Sequence, residues 1–394
     1  MPIATLGILL LVASLVAVIS SRLRLPYSVA LVAAGIALAF LPIKVELELT
    51  PALIFNVLLP PLIFEAAVQI PWAHFRRDLP VTLLLAFVGV AISAVVVAIG
   101  VHALLGWAWT GAILFGILIG ATDPVAVIAA FKELKVEPRL ALLVEAESLL
   151  NDGTAAVGFA IALAIAGGAA LGPVAIGGMA IWTICGGLLI GVGVAGAMLL
   201  LSGRTSDHLV EITLSVIIAY GSFLIAEATH ASGILAALAA GLVVGNRGWG
   251  GAVSPSSRAP MLAFWEYAAF LANSIVFILI GLEVSEHASA MLGAAAWIVI
   301  GLVLIGRAVA VYALCSCFRR GGLAVDLRHQ HVLVWGGLRG ALALALALNL
   351  PAGLEGRDTI IVAAFMVVAF SVFAQGLTMP TLVKRLGLIQ PGAK

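Results

Sequence analysis

This sequence predicts an all-α membrane protein, on three observations. Of its 394 residues, 63% are hydrophobic and only 10% charged, with a mean hydropathy of +1.22; a soluble domain carries about 25% charged residues. The apolar residues come in runs of about twenty, the length that crosses a hydrocarbon core of about 30 Å. Glycine is abundant at 42, and small residues let helices approach closely where lipid supplies no hydrophobic drive.

Thirteen spans follow in order, near residues 3–20, 27–41, 51–70, 80–105, 109–131, 140–166, 173–201, 208–229, 233–246, 261–282, 290–316, 331–349 and 359–383. The first has no basic residues ahead of it and Arg22 and Arg24 behind it. It therefore reads as a retained span with the N-terminus outside, not as a cleaved signal. The second and ninth are short, and the eighth and ninth divide around His230 and Gly233. The fifth is interrupted at Thr122-Asp123-Pro124, because proline cannot continue the preceding helix. The twelfth carries Gly336-Gly-Leu-Arg-Gly340, and its alternating Ala341–Leu348 run is helix, since an open strand leaves its backbone unsatisfied in lipid.

Charge placement supports this order. Of 20 Lys and Arg, Arg307 and Arg339 fall within spans, Lys44 and Arg357 in outer loops, and all the others in inner loops, as the positive-inside rule requires. This places the chain in the cell (inner) membrane with a cytoplasmic C-terminus. With short loops throughout, residues 1–394 form one polytopic domain. An odd span count allows an inverted repeat, with halves near 1–166 and 208–383 and a connecting span at 173–201. Broken helices at matching places in two halves point to a transporter's binding site. A net charge of +1 offers nothing to nucleic acid, and Cys185, Cys315 and Cys317 form neither a disulfide framework nor a metal site.

The sixth span holds the most informative residues, Glu147-Ser-Leu-Leu-Asn-Asp-Gly153. Asp152 lies twelve residues past Leu140, roughly 18 Å along a helix and so near the bilayer midplane. Ser148, four residues earlier, shares its face, as Glu147 shares that of Asn151. A carboxylate, a hydroxyl and nearby carbonyls are hard oxygen ligands for a hard cation, and intramembrane acids are functional by default. At the break in the fifth span, Asp123 is placed to cap the following half-helix or to neutralise two helix ends, and alternatively to bind the ion. The unwound stretch offers carbonyls, that of Thr122 included. Glu65, in Leu59-Pro-Pro-Leu-Ile-Phe-Glu65, either faces the ion path or bonds backbone. Glu147 is expected to pair with a buried arginine, Arg307 or Arg339, since an unpaired charge in lipid is costly.

With these residues in hand, the chain resembles the NhaP/NHE-type sodium/proton antiporters, the electroneutral branch of the monovalent cation:proton antiporters. Four motifs carry the resemblance: Gly120-Ala-Thr-Asp-Pro124, Glu147-Ser-Leu-Leu-Asn-Asp-Gly153, Phe264-Trp-Glu with Asn273-Ser-Ile-Val-Phe277 and Gly281, and Trp335-Gly-Gly-Leu-Arg-Gly340. It implies thirteen helices with crossed, broken spans 5 and 12, and a homodimer. It implies that Asp152 exchanges sodium for a proton, with Ser148, Glu65 and the Thr122 carbonyl completing the coordination. Asn151 holds the site together, Asp123 balances the helix ends, and Arg307 is the partner of Glu147. No cofactor is implied beyond the transported ions, and no enzymatic activity.

With one titrating acid, each bound state carries one positive charge, so one-for-one exchange moves no net charge. Potassium/proton exchange is the alternative within this reading, since oxygen ligands do not settle ion size. An intramembrane aspartyl protease also needs two buried acids, but the Tyr-Asp and Gly-x-Gly-Asp motifs of such enzymes are absent. A cation channel needs a filter of repeated loops, and no such repeat is visible.

Overall fold

A computed structural model describes residues 3–23, 25–41, 46–168, 172–286, 293–318 and 321–389. Arg24, Lys44, Arg319, Arg320 and Lys394, which entered the charge count, lie outside the described residues.

The described chain is built of helices: α1 (Ile3–Leu23), α2 (Tyr27–Ala39), α3 (Pro51–Gln69), α4 (Trp72–Leu105), α5 (Trp109–Leu118), α6 (Val125–Leu134), α7 (Pro138–Ala166), α8 (Pro173–Ser202), α9 (His208–Ala228), α10 (Gly233–Asn246), α11 (Pro255–Glu286), α12 (Ala294–Cys315), α13 (Leu327–Trp335), α14 (Ala341–Leu348) and α15 (Arg357–Leu386). Among the described residues, nine helices are long and apolar enough to cross a membrane. The expected fifth and twelfth spans are each two shorter helices around an unwound segment, residues 119–124 and 336–340. Four long helices carry a stretch of π-helix inside them, at Ile54–Leu58 in α3, Leu84–Gly89 in α4, Trp182–Gly186 in α8 and Ser371–Gly376 in α15.

Two helices begin six or more residues before the apolar runs do. The run expected from residue 80 starts at Trp72, because Arg76, Arg77 and Asp78 dilute the hydropathy of its first turns without breaking the helix. The run expected from residue 261 starts at Pro255. Its entry is held by Glu211, whose carboxylate accepts from the Ser254 N–H (3.1 Å) and hydroxyl (2.9 Å). Between α9 and α10, His230 takes a left-handed φ of 57°. Ser232 then caps α10, its Oγ accepting from the Leu235 N–H at 3.3 Å.

The described residues pack into two units. One comprises Met1–Pro51, Asp78–Ala155 and Ser274–Lys394. Its core gathers Phe131, Leu140, Leu143, Val311, Val332, Leu338 and Met379. Here α2 and α11 touch backbone to backbone: a side chain on Gly35 or on Gly281 would run into a main-chain carbonyl of the other helix, that of Ile278 or of Val32. The second unit comprises Ala52–Arg77 and Ala156–Asn273. Its core is built on Trp265, which packs on Phe64 with ring centroids 4.6 Å apart and donates from Nε1 to Ser215 Oγ at 2.9 Å. In lipid, where burying apolar surface gains little, such close helix contacts and buried hydrogen bonds are the available cohesion.

Candidate ion-binding site

The site is assembled in the first unit from α7, the two unwound segments and α12. Asn151 is fully buried, and its amide is used on both sides. Its Oδ1 accepts from the Thr122 N–H at 3.3 Å, while Nδ2 donates to Thr122 Oγ1 at 2.8 Å and to Glu147 Oε1 at 3.0 Å. The Thr122 hydroxyl donates to Ser148 Oγ at 3.2 Å, and the Ser148 hydroxyl donates to the Thr122 carbonyl at 2.6 Å. The unwound segment is thus pinned to α7 by four hydrogen bonds between Thr122 and the pair Ser148 and Asn151, and Asn151 is itself braced by Glu147 within α7. Unwound backbone buried in a membrane needs such replacement partners.

Asp123 ties the first break to the second. Its Oδ1 accepts from the Val125 N–H at 3.0 Å, at the start of α6, and its own N–H donates to the Leu338 carbonyl at 2.7 Å. Gly340 lies directly against the Asp123 side chain, with no room for a β-carbon. Arg339, in the same second break, donates from one terminal nitrogen to the Ala121 carbonyl at 3.3 Å. The two breaks therefore meet through backbone atoms and not through side chains alone.

Glu147 and Arg307 form a bidentate ion pair, with N–O distances of 2.7 and 2.8 Å. Both are buried, at 2% and 6% exposure. The guanidinium also donates to the Leu333 carbonyl, from Nε at 3.2 Å and from a terminal nitrogen at 3.0 Å. One arginine thus joins α7, α12 and the last turn of α13. Charge-assisted pairs of this fork geometry are the strong ones.

Asp152, one residue beyond Asn151, stands apart from this satisfied network. Its Oδ1 is buried and finds no hydrogen-bond partner among the described residues. The charges that act on it are those of Asp123, Glu147 and Arg339. Of the residues singled out in the sequence, the structure brings together Thr122, Asp123, Glu147, Ser148, Asn151, Arg307 and Arg339. Glu65 belongs to the second unit, where it accepts a hydrogen bond from the Gln69 amide.

Two residues of this region escaped the sequence reading. Gln375, on the π-helical stretch of α15, is buried and donates from Nε2 to the Trp335 carbonyl at 3.0 Å. It covers the carbonyl end of α13 where that helix breaks off, and a lone amide in an apolar span was the signal for it. Asp78 is also buried, in an ion pair with Arg139 at 2.9 Å, and Arg139 donates to the Ala324 carbonyl at 2.8 Å. Its place in the charged run after Pro71 hid it, since that run reads as a loop.

Two interrupted helices meeting beside a carboxylate with a buried, unpartnered oxygen define a secondary ion transporter, in which unwound backbone lines the binding site. The chain belongs to the sodium/hydrogen exchanger family, whose transmembrane region matches residues 8–385. It is 39% identical over 393 residues to the Na(+)/H(+) antiporter ApNhaP of Aphanothece halophytica, covering 98% of this chain and 74% of that one. To the Na(+)/H(+) antiporter NhaH of Halobacillus aidingensis it is 33% identical, covering 97% of each. Its fold is also that of the sodium proton antiporter MjNhaP1 of Methanocaldococcus jannaschii, with a TM-score of 0.77 at 20% identity over 98% of both chains.

Proposed function

We propose that this chain exchanges sodium for protons by making the two ions compete for the Asp152 carboxylate. As a member of the sodium/hydrogen exchanger family it is a sodium/proton antiporter; the competition at one group is the mechanism proposed here. The observation that carries it is the contrast within α7. Glu147, Ser148 and Asn151 all have their polar atoms engaged, whereas Asp152 keeps a buried oxygen without a partner among the described residues. A buried carboxylate oxygen needs either a proton or a cation, and occupation by one excludes the other.

In this mechanism Asp152 is the only group that exchanges its ligand. Ser148 and the Thr122 carbonyl supply neutral oxygens. Glu147 is held by Arg307 and Asp123 caps α6 through the Val125 N–H, which leaves Asp152 as the acid assigned to the exchange. The relatives named above are Na(+)/H(+) antiporters, which leaves potassium/proton exchange unfavoured. The working molecule is a homodimer of thirteen crossings per chain, with breaks that cross at the midplane, the N-terminus outside and the C-terminus in the cytoplasm.

The test is sodium-driven proton movement in vesicles carrying purified protein. The Asp152→Ala variant is expected to assemble and elute as the parent does, yet to leave an imposed pH gradient untouched when sodium is added. Dissipation of the gradient by that variant would remove Asp152 from the mechanism.

A further inference from the structure

We propose that a small cavity beside the second break is a resident binding site for a small monovalent anion of chloride size. The cavity is lined by Arg307, Arg339, Ser371 and Gln375 with apolar walls from Val303, Val367 and Phe370, all within the first unit. It has room for a body about the size of a water molecule. No acidic residue lines it.

The argument rests on the charge of Arg339. This residue is 2% exposed, and its Nε is buried with no hydrogen-bond partner among the described residues. Among the described residues, its one hydrogen bond is to the carbonyl of Ala121. The other arginine at the cavity is already matched by Glu147 in a bidentate pair. Asp152 cannot serve Arg339 as a standing counter-charge, because in the proposed mechanism a proton or a sodium ion neutralises it in each bound state. A buried guanidinium with an unused N–H needs an anion or a water within reach. The carbonyl end of α5 beside Ala121 answers at most about half of its charge, and an anion answers the rest.

The lining suits that ligand. Arg339 supplies the unmatched charge, Gln375 and Ser371 bring an amide and a hydroxyl, and the apolar wall excludes strongly hydrated or extended anions. The π-helical turn that begins at Ser371 places both polar groups at the cavity, and such turns recur at functional sites. A monatomic halide is the compact anion nearest to a space of this size, whereas sulfate and gluconate are far larger.

The test has a binding arm and a transport arm. Crystals of the whole protein grown in bromide are measured at the bromine edge, and an anomalous peak between Arg339 and Gln375 is expected. Proteoliposomes are prepared with chloride, bromide or gluconate as the sole anion on both sides. Exchange is expected to run several-fold faster in either halide than in gluconate, and Gln375→Leu is expected to lose the bromide peak and the halide dependence together. No bromide peak in the parent protein, or equal rates in halide and gluconate, overturns the proposal and leaves the cavity to water. The bromide peak does not depend on transport, so failure of Asp152 as the exchanging group leaves this arm intact.

Discussion

At the scale of single residues, the proposed mechanism separates groups that hold from a group that exchanges. The Glu147–Arg307 pair is of the first kind. Both partners are buried and every oxygen of the carboxylate is engaged, so removal of one leaves the other as an uncompensated charge in low dielectric. Breaking such a pair costs about 3–5 kcal/mol, while replacing both members with apolar groups is often close to neutral. Glu147→Leu is therefore expected to lower thermal stability strongly, and the Glu147→Leu, Arg307→Leu double variant to recover a large part of the loss. Melting curves of the detergent-solubilised variants check this, and a double variant less stable than the single one sinks it. Asp152, Asn151, Ser148 and Thr122 were legible in the sequence because polar groups stand out in apolar runs and their helical spacing places them on shared faces. The choice of Arg307 over Arg339 was not legible from depth along a span, since both arginines sit at similar positions in their helices. It is set by which guanidinium faces α7, a matter of helix rotation that hydropathy does not record.

At the scale of elements, the two interruptions are complementary. Pro124 and the glycines at 336, 337 and 340 announce both of them, and the structure shows why the second break uses glycine. Gly340 lies flat against the Asp123 side chain, and a β-carbon at Gly337 would come within 2.7 Å of Arg307 Nε. Gly340→Ala is expected to push the breaks apart and to abolish sodium-driven proton exchange. Gly353→Ala, where a β-carbon meets nothing within 4 Å, serves as the control and is expected to exchange at the parent rate. Comparable rates in the two variants would show that the contact between the breaks is dispensable. Helix starts were less legible than helix interiors: α4 and α11 both begin in polar turns that no hydropathy window scores as membrane helix. The glycine contact between α2 and α11 was likewise invisible, since which of 42 glycines meets a facing backbone depends on tertiary packing.

At the scale of the whole molecule, the question is how much charge one transport cycle moves. The two packing units are each made of segments distant in sequence, so neither was visible as a domain along the chain. The proposed exchanging group nevertheless lies within one unit, together with the residues that satisfy its neighbours. Among the acids around the two breaks, Glu147 is matched by Arg307, Asp123 by a backbone N–H and by its contact with the second break, and the proposed mechanism leaves Asp152 to trade ligands. A single carboxylate that carries either one proton or one sodium ion has the same net charge in both loaded states. The cycle should therefore be indifferent to membrane voltage. The magnitudes make this easy to decide: moving one net charge through 100 mV is worth about 2.3 kcal/mol, which would shift the final ion gradient by about fiftyfold. Proteoliposomes clamped with potassium and valinomycin at zero and at about −100 mV, a drop worth that energy per charge, are expected to reach the same pH for the same sodium gradient. A voltage-dependent end point would mean that a second titrating group takes part in the cycle, and Asp123 would then be the residue to substitute first.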